Sequence, residues 1–235
     1  MNLTELVGAA RCLLVDFDGP VCAVFAGYPA ATVANELRAV IRSHFGGELP
    51  SSLDEHHADP LRMLVEVASL GDDELTREVA AACRDAEVTA IRTATPTRGA
   101  EDVLRAAQAA GYRTAIVSNN ATEAIDAYLR RYNLFRYVSV VVARFDGMDP
   151  RLLKPNPYLL DRAVAAVQGQ SEQATFIGDS VSDVVAGQAA GVRTIGYANK
   201  PGKRDRLTNA GADVVIETMQ ALAASLRHAA ANPTR

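Results

Sequence analysis

Short apolar segments alternate with amphipathic segments along most of this 235-residue chain, and this alternation limits the folds available to it. The apolar run Cys12–Val15 predicts a first buried strand. Further strands are predicted at residues 114–117, 138–143, 175–177, 193–195 and 214–216, with helices between them. Strands and helices that alternate with short links are typical of an α/β fold with a doubly wound, Rossmann-like parallel sheet.

Residues 20–95 carry a different pattern, because helical spacing predominates there and no segment predicts a strand. Helices are predicted at about residues 30–45, 60–70 and 73–94, and the pair Asp59-Pro60 caps the second of them. The pair His56-His57 is expected in an exposed loop before this helix. The sequence therefore predicts a sheet domain formed by residues 1–19 and 96–235, interrupted by an all-helical insert at 20–95.

The ends of the predicted strands carry the residues that suggest chemistry. The first strand leads into Asp16-Phe17-Asp18-Gly19, which places two carboxylates one residue apart before a glycine. Hydroxyl, amide, lysine and carboxylate groups follow the later strands, at Ser118, Asn119, Lys154, Asp179 and Asp183. In an open parallel sheet, ligands bind in the crevice at the carboxyl ends of the strands. We therefore expect these groups to line one crevice.

Each of these groups has an ordinary structural explanation when it is taken alone. Asp and Gly are common in turns, so the segment from Asp16 to Gly19 also fits a plain strand-end turn. Ser118 and Asp183 fit helix-capping positions, and most lysines, such as Lys154, lie at the surface. Their recurrence at one edge of the same predicted sheet favours a shared site over separate structural roles.

A metal-assisted phosphoryl-transfer site explains this set of groups. Asp16 is the predicted nucleophile and would form an aspartyl phosphate. A carboxylate that approaches a phosphate dianion meets electrostatic repulsion, and Mg²⁺ can reduce it because it binds carboxylate and phosphate oxygens. Asp16 and Asp179 are the predicted ligands of Mg²⁺, and Asp183 would complete or orient the ligand set.

The remaining groups have predicted roles around the phosphoryl group. Lys154, Ser118 and backbone amides near Asn119 would bind its oxygens. Asp18 is the predicted general acid and base, which protonates the leaving oxygen and then deprotonates the attacking water. Mg²⁺ and Lys154 are expected to keep Asp16 ionised, whereas Asp18 lies further from the metal through its side chain and can carry a proton.

These motifs, in this order, resemble those of the haloacid dehalogenase superfamily. The matching residues are Asp16-Phe17-Asp18-Gly19, Ser118-Asn119, Lys154-Pro155, and Gly178-Asp179-Ser180 with Asp183. The resemblance implies a phosphatase of the phosphoglycolate-phosphatase-like type, with residues 20–95 as a helical cap inserted after the first motif. It also implies that Asp18 contacts Mg²⁺ through its backbone carbonyl, which adds Asp18 to the metal ligands.

The first motif departs from the usual family pattern at Gly19-Pro20-Val21-Cys22-Ala23, where a Thr commonly follows the Gly. Cys22 is expected to pack in the core rather than to act in catalysis.

Three other functions are weighed against a phosphatase. A dehalogenase needs neither Asp18 nor Asp179, and a non-catalytic binding module is expected to have lost at least one of the motif residues, all of which are present. A sugar-phosphate mutase shares the core motifs, and nothing in them distinguishes it.

Composition narrows the partners of the protein. The formal net charge is −4 and no block of like charge suggests a nucleic-acid partner. No apolar run reaches the roughly 20 residues that span a bilayer, and residues 1–10 lack the pattern of a signal peptide, so we expect a cytoplasmic protein. The three cysteines lack metal-ligand spacing and are expected to be buried thiols. The predicted partner is a small phosphorylated metabolite, and the sequence does not predict an oligomeric state.

Overall fold

A computed structural model of the protein describes residues 2–51, 53 and 58–231. Helices and strands alternate along the chain. In order they are α1 (Leu3–Ala9), β1 (Cys12–Val15), β2 (Cys22–Ala23), α2 (Ala30–His44), α3 (Pro60–Ala68), α4 (Asp73–Ala90), β3 (Thr95–Pro96), α5 (Ala100–Ala109), β4 (Arg113–Ala121), α6 (Thr122–Arg131), β5 (Val140–Arg144), α7 (Tyr158–Ala166), β6 (Ala174–Gly178), α8 (Val181–Ala189), β7 (Arg193–Tyr197), α9 (Lys203–Asn209), β8 (Val214–Ile216) and α10 (Met219–Ala231). His56-His57 lies outside the described residues.

The main sheet has six parallel strands in the order β5-β4-β1-β6-β7-β8, which confirms the predicted fold class. β1 pairs with β4 on one side and with β6 on the other, so that Val15 is aligned with both Ile116 and Ile177. The chain first adds β4 and β5 on one side of β1 and then adds β6, β7 and β8 on the other. The carboxyl end of β1 therefore lies at the topological switch point, where α/β sheets bind their ligands.

Alternate residues of β1 face the two helical layers that cover the sheet. Leu13 and Val15 pack into an apolar cluster that includes residues of α1, α5, α6 and α10. Cys12 and Leu14 pack into a second cluster on the opposite face, with residues of α7. A strand that is buried on both faces shows a continuous apolar run, which explains why the run Cys12–Val15 was recognisable in the sequence.

The helical insert has an apolar cluster of its own, formed by residues of α2, α3 and α4. The expectation that residues 20–95 contain no strand is wrong, because β2 and β3 pair antiparallel where the chain enters and leaves the insert. Each of these strands has only two residues, and a strand this short shows no periodicity in the sequence. The pairing holds the two connections of the insert side by side.

α1 was not predicted from the sequence, although the sequence contains a capping signal for it. The Asn2 side chain accepts a hydrogen bond from the Glu5 backbone, and the Glu5 side chain accepts one from the Asn2 backbone. This reciprocal capping box begins a helix, and its spacing is visible in the sequence. None of the helices in the described part of the chain combines the length and the apolar character needed to cross a bilayer.

β4 is longer than predicted, and its extension carries site residues. It continues beyond Val117 to Ala121, and its pairing with β5 changes register between Ser118 and Ala121. An irregularity of this kind re-aims side chains near the end of a strand. The segment 118–121 therefore belongs to the sheet edge itself rather than to a separate capping loop.

Candidate active site

A cleft of about 570 Å³ opens at the carboxyl ends of β1, β4 and β6. The seven residues predicted as catalytic, phosphate-binding or metal-binding all line it: Asp16, Asp18, Ser118, Asn119, Lys154, Asp179 and Asp183. Residues of the helical insert form the opposite wall, including Phe25, Asp59 and Arg62. The structure therefore brings every predicted site residue into one cleft.

Lys154 is the centre of the charged groups in this cleft. Its Nζ donates to Asp16 Oδ1 at 2.7 Å and to Asp183 Oδ1 at 2.6 Å, and it also lies 3.3 Å from the backbone oxygen of Val117. The side chain is only 3% exposed, so it is not the surface lysine considered as an alternative. Burial on its own lowers the pKa of Lys154, but the two carboxylates outweigh burial and raise the pKa above its usual range.

Asp16 follows β1 and is buried beside Lys154. Burial raises the pKa of Asp16, and the carboxylate of Asp183 raises it further, whereas the Lys154 ammonium acts in the opposite direction. Each additional cation close to Asp16 therefore favours its ionised form.

Asp183 has the capping role that its sequence position suggested, and it also contacts Lys154. It is the third residue of α8, and its Oδ2 accepts hydrogen bonds from the Ser180 backbone at 3.0 Å and from Ser180 Oγ at 2.6 Å. Its Oδ1 is bound by Lys154. The capping box thus fixes the carboxylate at the start of α8, and the same carboxylate orients Lys154 towards Asp16.

Ser118 and Asn119 stand at the end of β4. The Asn119 side chain accepts a hydrogen bond from the Lys154 backbone N–H at 2.8 Å and donates one to the Lys154 backbone oxygen at 3.0 Å. Ser118 Oγ accepts from the Asn120 N–H at 3.2 Å and lines the cleft. The Asn119 side chain is therefore engaged in holding the Lys154 segment.

Asp18 differs from Asp16 in its surroundings. It is half-buried, and its Oδ1 accepts a hydrogen bond from the Val24 N–H at 2.9 Å. Burial raises the pKa of Asp18 to about 6, and the Val24 hydrogen bond opposes this rise. A carboxyl group with this pKa exchanges protons near neutral pH, as a general acid and base must.

Asp179 lies at the end of β6 and contacts residues that follow β7. Its Oδ2 accepts a hydrogen bond from Asn199 Nδ2 at 2.9 Å and forms an ion pair with Lys203. Gly19 has a φ of +106°, and a Cβ at this position would lie 2.4 Å from the Asp179 carboxyl carbon. The glycine of the first motif therefore permits both the turn and the close approach of Asp179 to it.

The residues present fit a divalent cation. Carboxylate oxygens of Asp16, Asp179 and Asp183 all lie within 4.8 Å of one another. Oxygen donors of this kind suit Mg²⁺, which usually retains several water ligands in proteins. The Asn199 Oδ1 atom beside Asp179 is buried and has no hydrogen-bond partner among the described residues, which makes it a suitable acceptor for such a water.

Some residues that contact the site were not found from the sequence. Asn199 and Lys203 contact Asp179, and the buried pair Glu87 and Arg144 contacts the segment 119–121. A polar cluster at 199–203 after a strand was a usable signal for the first two. Glu87 and Arg144 carried no signal, because each looks like an ordinary charged surface residue. Cys22 packs in the core as expected.

The fold and the site define a class: a doubly wound α/β protein with a carboxylate–lysine–carboxylate cluster at the topological switch point. A family model described as haloacid dehalogenase-like hydrolase matches residues 10–191. The chain belongs to this family, and the match confirms the resemblance seen in the motifs.

Individual relatives are similar over parts of the chain. It is 34% identical over 139 residues to a plasmid-encoded phosphoglycolate phosphatase from Cupriavidus necator, 57% of each chain being covered. It is 30% identical over 105 residues to pyrophosphatase PpaX from Halalkalibacterium halodurans, which covers 44% of this chain and 47% of that one. The chain thus spans about half the length of the curated relatives it matches.

A solved structure is similar over nearly the whole chain. It is described as a predicted phosphatase from Clostridium acetobutylicum, and it superposes with a TM-score of 0.69. The superposition covers 93% of this chain and 99% of that chain at 19% identity. A likeness at this identity supports the fold, and the function has to be argued from the site.

Proposed function

We propose that this protein is a Mg²⁺-dependent phosphatase that hydrolyses a small phosphomonoester through an aspartyl phosphate on Asp16. The observation that carries the proposal is the Asp16–Lys154–Asp183 cluster, in which a buried carboxylate at the switch point is held 2.7 Å from a buried ammonium. Asp179 lies close enough to Asp16 and Asp183 to bind the same Mg²⁺ ion, and it is an acidic group that a dehalogenase does not need.

In the first step, an oxygen of Asp16 attacks phosphorus, and the bond from phosphorus to the ester oxygen breaks. The leaving oxygen takes the proton of Asp18, so an alcohol departs and Asp18 is left as a carboxylate. In the second step, Asp18 takes a proton from water as the water oxygen attacks phosphorus. The acyl phosphate then breaks, orthophosphate leaves, and Asp16 is regenerated with Asp18 protonated.

Lys154, Ser118 and Asn119 line the cleft, and we propose that the side chains of the first two and the backbone of the third bind phosphoryl oxygens. Asp16, Asp179 and Asp183, with the backbone carbonyl of Asp18, would hold Mg²⁺. When bound, Mg²⁺ neutralises part of the negative charge between a carboxylate nucleophile and a phosphate dianion. The raised pKa of Asp16 is consistent with a site that needs a further cation to ionise it fully.

The substrate class follows from the cleft. A volume of about 570 Å³ accommodates a metabolite rather than a macromolecule. The named relatives act on phosphoglycolate or carry the name pyrophosphatase, which supports a small phosphorylated compound. We further propose that residues 1–19 and 96–235 supply the chemistry and that the insert 20–95 acts as a cap that selects the substrate.

The test is a screen of the purified protein against phosphorylated metabolites and an aryl phosphate in the presence of Mg²⁺. We expect orthophosphate release by the wild type and none by Asp16→Asn. Product analysis separates the mutase alternative, which would return the phosphoryl group to the organic product instead of releasing it. Release of phosphate at the wild-type rate by Asp16→Asn would overturn the proposed mechanism.

A further inference from the structure

A buried ion pair lies between the helical insert and the sheet, outside all four motifs. It joins Glu87, in the last turns of α4, to Arg144, the last residue of β5. Their side chains are 0% and 4% exposed. Charged side chains are almost never buried to this extent unless they are paired, so the contacts of this pair need an explanation.

Both members of the pair bind the phosphate-binding end of β4. Glu87 accepts hydrogen bonds from Asn120 Nδ2 at 3.0 Å and from the Ala121 N–H at 2.8 Å. Arg144 Nε donates to the backbone oxygen of Asn119 at 3.1 Å. Three consecutive residues after Ser118 are therefore each held by one of the two buried charges.

These contacts continue to the proposed nucleophile. The Asn119 side chain makes two hydrogen bonds with the backbone of Lys154, and Lys154 Nζ binds Asp16. Arg144 fixes the carbonyl of the same Asn119 residue. A shift of the 118–121 segment would therefore change the position of the backbone next to Ser118 and that of the Lys154 backbone together.

Stability does not explain this ion pair. Removing two charges from water costs about as much as their attraction returns, and apolar residues of similar volume are often as stable or more stable in their place. A fully satisfied buried network does, however, restrict the local backbone to one arrangement. The pair is therefore better explained by the geometry that it imposes than by the free energy of unfolding.

We propose that Glu87 and Arg144 are positioning residues that hold the segment 118–121 in the arrangement required for phosphoryl transfer. The proposal rests on the proposed phosphatase function. The proposal also assigns the C-terminal part of α4 to the sheet domain. Ala90 packs in the sheet cluster, whereas Leu75 and Val79 pack in the cluster of the insert.

The central variant is the double substitution Glu87→Met/Arg144→Met, which replaces the pair by apolar side chains of similar length. The two side chains also satisfy polar groups of residues 119–121, so we expect the midpoint of thermal unfolding to fall modestly while the protein remains folded. Its kcat is expected to fall by roughly 10- to 100-fold, a larger factor than the rise in KM, the scale of a misplaced catalytic group. Arg144→Lys keeps the positive charge but removes the planar guanidinium group. Its kcat should fall while the protein remains folded.

Glu101→Gln is the matched control, because Glu101 forms an exposed ion pair with Arg136 and does not line the cleft. A readout independent of turnover is amide hydrogen exchange at residues 118–121, which should accelerate in Glu87→Met/Arg144→Met and in Arg144→Lys but not in the control. Binding of orthophosphate with Mg²⁺ should weaken in the same variants.

The outcomes separate the two proposals. If a folded Glu87→Met/Arg144→Met or Arg144→Lys variant keeps wild-type kcat and wild-type exchange at 118–121, the positioning role is wrong. If the wild type releases phosphate from no ester, the proposed function is wrong, and exchange and orthophosphate binding still decide whether the pair positions the segment. Faster exchange at 118–121 together with a lower kcat, in variants that remain folded at the assay temperature, would establish it.

Discussion

The two walls of the cleft are built differently. On the sheet wall, Asp16, Lys154 and Asp183 are buried, and Lys154 and Asp183 make several hydrogen bonds each. On the insert wall, Arg62 lies near the start of α3, with a side chain that is 60% exposed and paired with its helical neighbour Glu66 at 2.9 Å. One wall is fixed by buried charges, and the other carries a long side chain at the surface.

This difference assigns separate tasks to the two walls. A group that must meet phosphorus within a few tenths of an ångström needs neighbours that prevent movement. A group that distinguishes one metabolite from another can sit on an exposed side chain, because it acts on a part of the substrate that does not react. We therefore expect changes on the sheet wall to affect every substrate, and changes on the insert wall to affect only some.

The largest effect is expected from Asp16→Asn, which should abolish turnover of all substrates. An amide cannot form the acyl phosphate, and no other carboxylate occupies the end of β1 beside Lys154 in the described structure. Phosphate release and thermal unfolding should be measured together, since the fold is expected to remain intact. A uniform but partial loss would mean that Asp16 is not the nucleophile.

Metal removal is expected to come next. EDTA should abolish phosphate release and added Mg²⁺ should restore it. The reason is that the carboxylate oxygens of Asp16, Asp179 and Asp183 suit a divalent cation. Asp179→Ala should raise the Mg²⁺ concentration needed for half-maximal activity and weaken Mg²⁺ binding measured by calorimetry. Asp161→Ala, an exposed carboxylate on α7, is the control and should change neither value. Full activity in metal-free buffer would contradict the proposed site.

Asp18→Asn should slow turnover by roughly 10²- to 10⁴-fold, the range typical of losing general acid–base catalysis. The loss should be smaller for an aryl phosphate than for an alkyl phosphate, since a good leaving group needs little protonation. Rates for both substrates are measured with saturating Mg²⁺. If the two substrates lose activity equally, Asp18 acts through the metal and not as the proton donor.

The sheet wall was predictable because its chemistry follows strand ends. Asp16 and Asp179 come directly after apolar runs, and parallel strands bring their carboxyl ends to one edge. Asp183 was recognisable as a capping residue from its spacing to Ser180, although its bond to Lys154 depends on how α8 meets the sheet. Local sequence patterns were sufficient to predict site residues where the parallel sheet topology determines which residues come together.

The insert was less predictable, because its contacts depend on how helices cross. The spacing of α4 predicted a helix, but nothing in it showed that Glu87 enters the sheet domain while Leu75 stays in the insert. The two-residue strands β2 and β3 were missed for a similar reason, since their pairing partner is more than 70 residues away. Long-range packing, rather than local propensity, determines these features.

The smallest effect is expected at the insert wall, with Arg62→Ala. A guanidinium in the cleft can bind a second anionic group of a substrate, and a charge-assisted hydrogen bond at a partly exposed site corresponds to roughly 3- to 10-fold in affinity. We therefore expect KM to rise by about that factor for phosphorylated acids or bisphosphates, with kcat nearly unchanged. For a small aryl phosphate, which has no second anionic group, neither value should change.

The control is Arg42→Ala, which removes an exposed arginine of α2 that does not line the cleft. It has the same effect on net charge, so any general weakening of anion attraction should appear in both variants. If Arg62→Ala and Arg42→Ala behave alike with every substrate, the insert wall contributes no specific contact through Arg62. If Arg62→Ala lowers kcat equally for the aryl phosphate and for the phosphorylated acids or bisphosphates, the insert takes part in the chemistry itself. The division of tasks between the two walls would then be wrong.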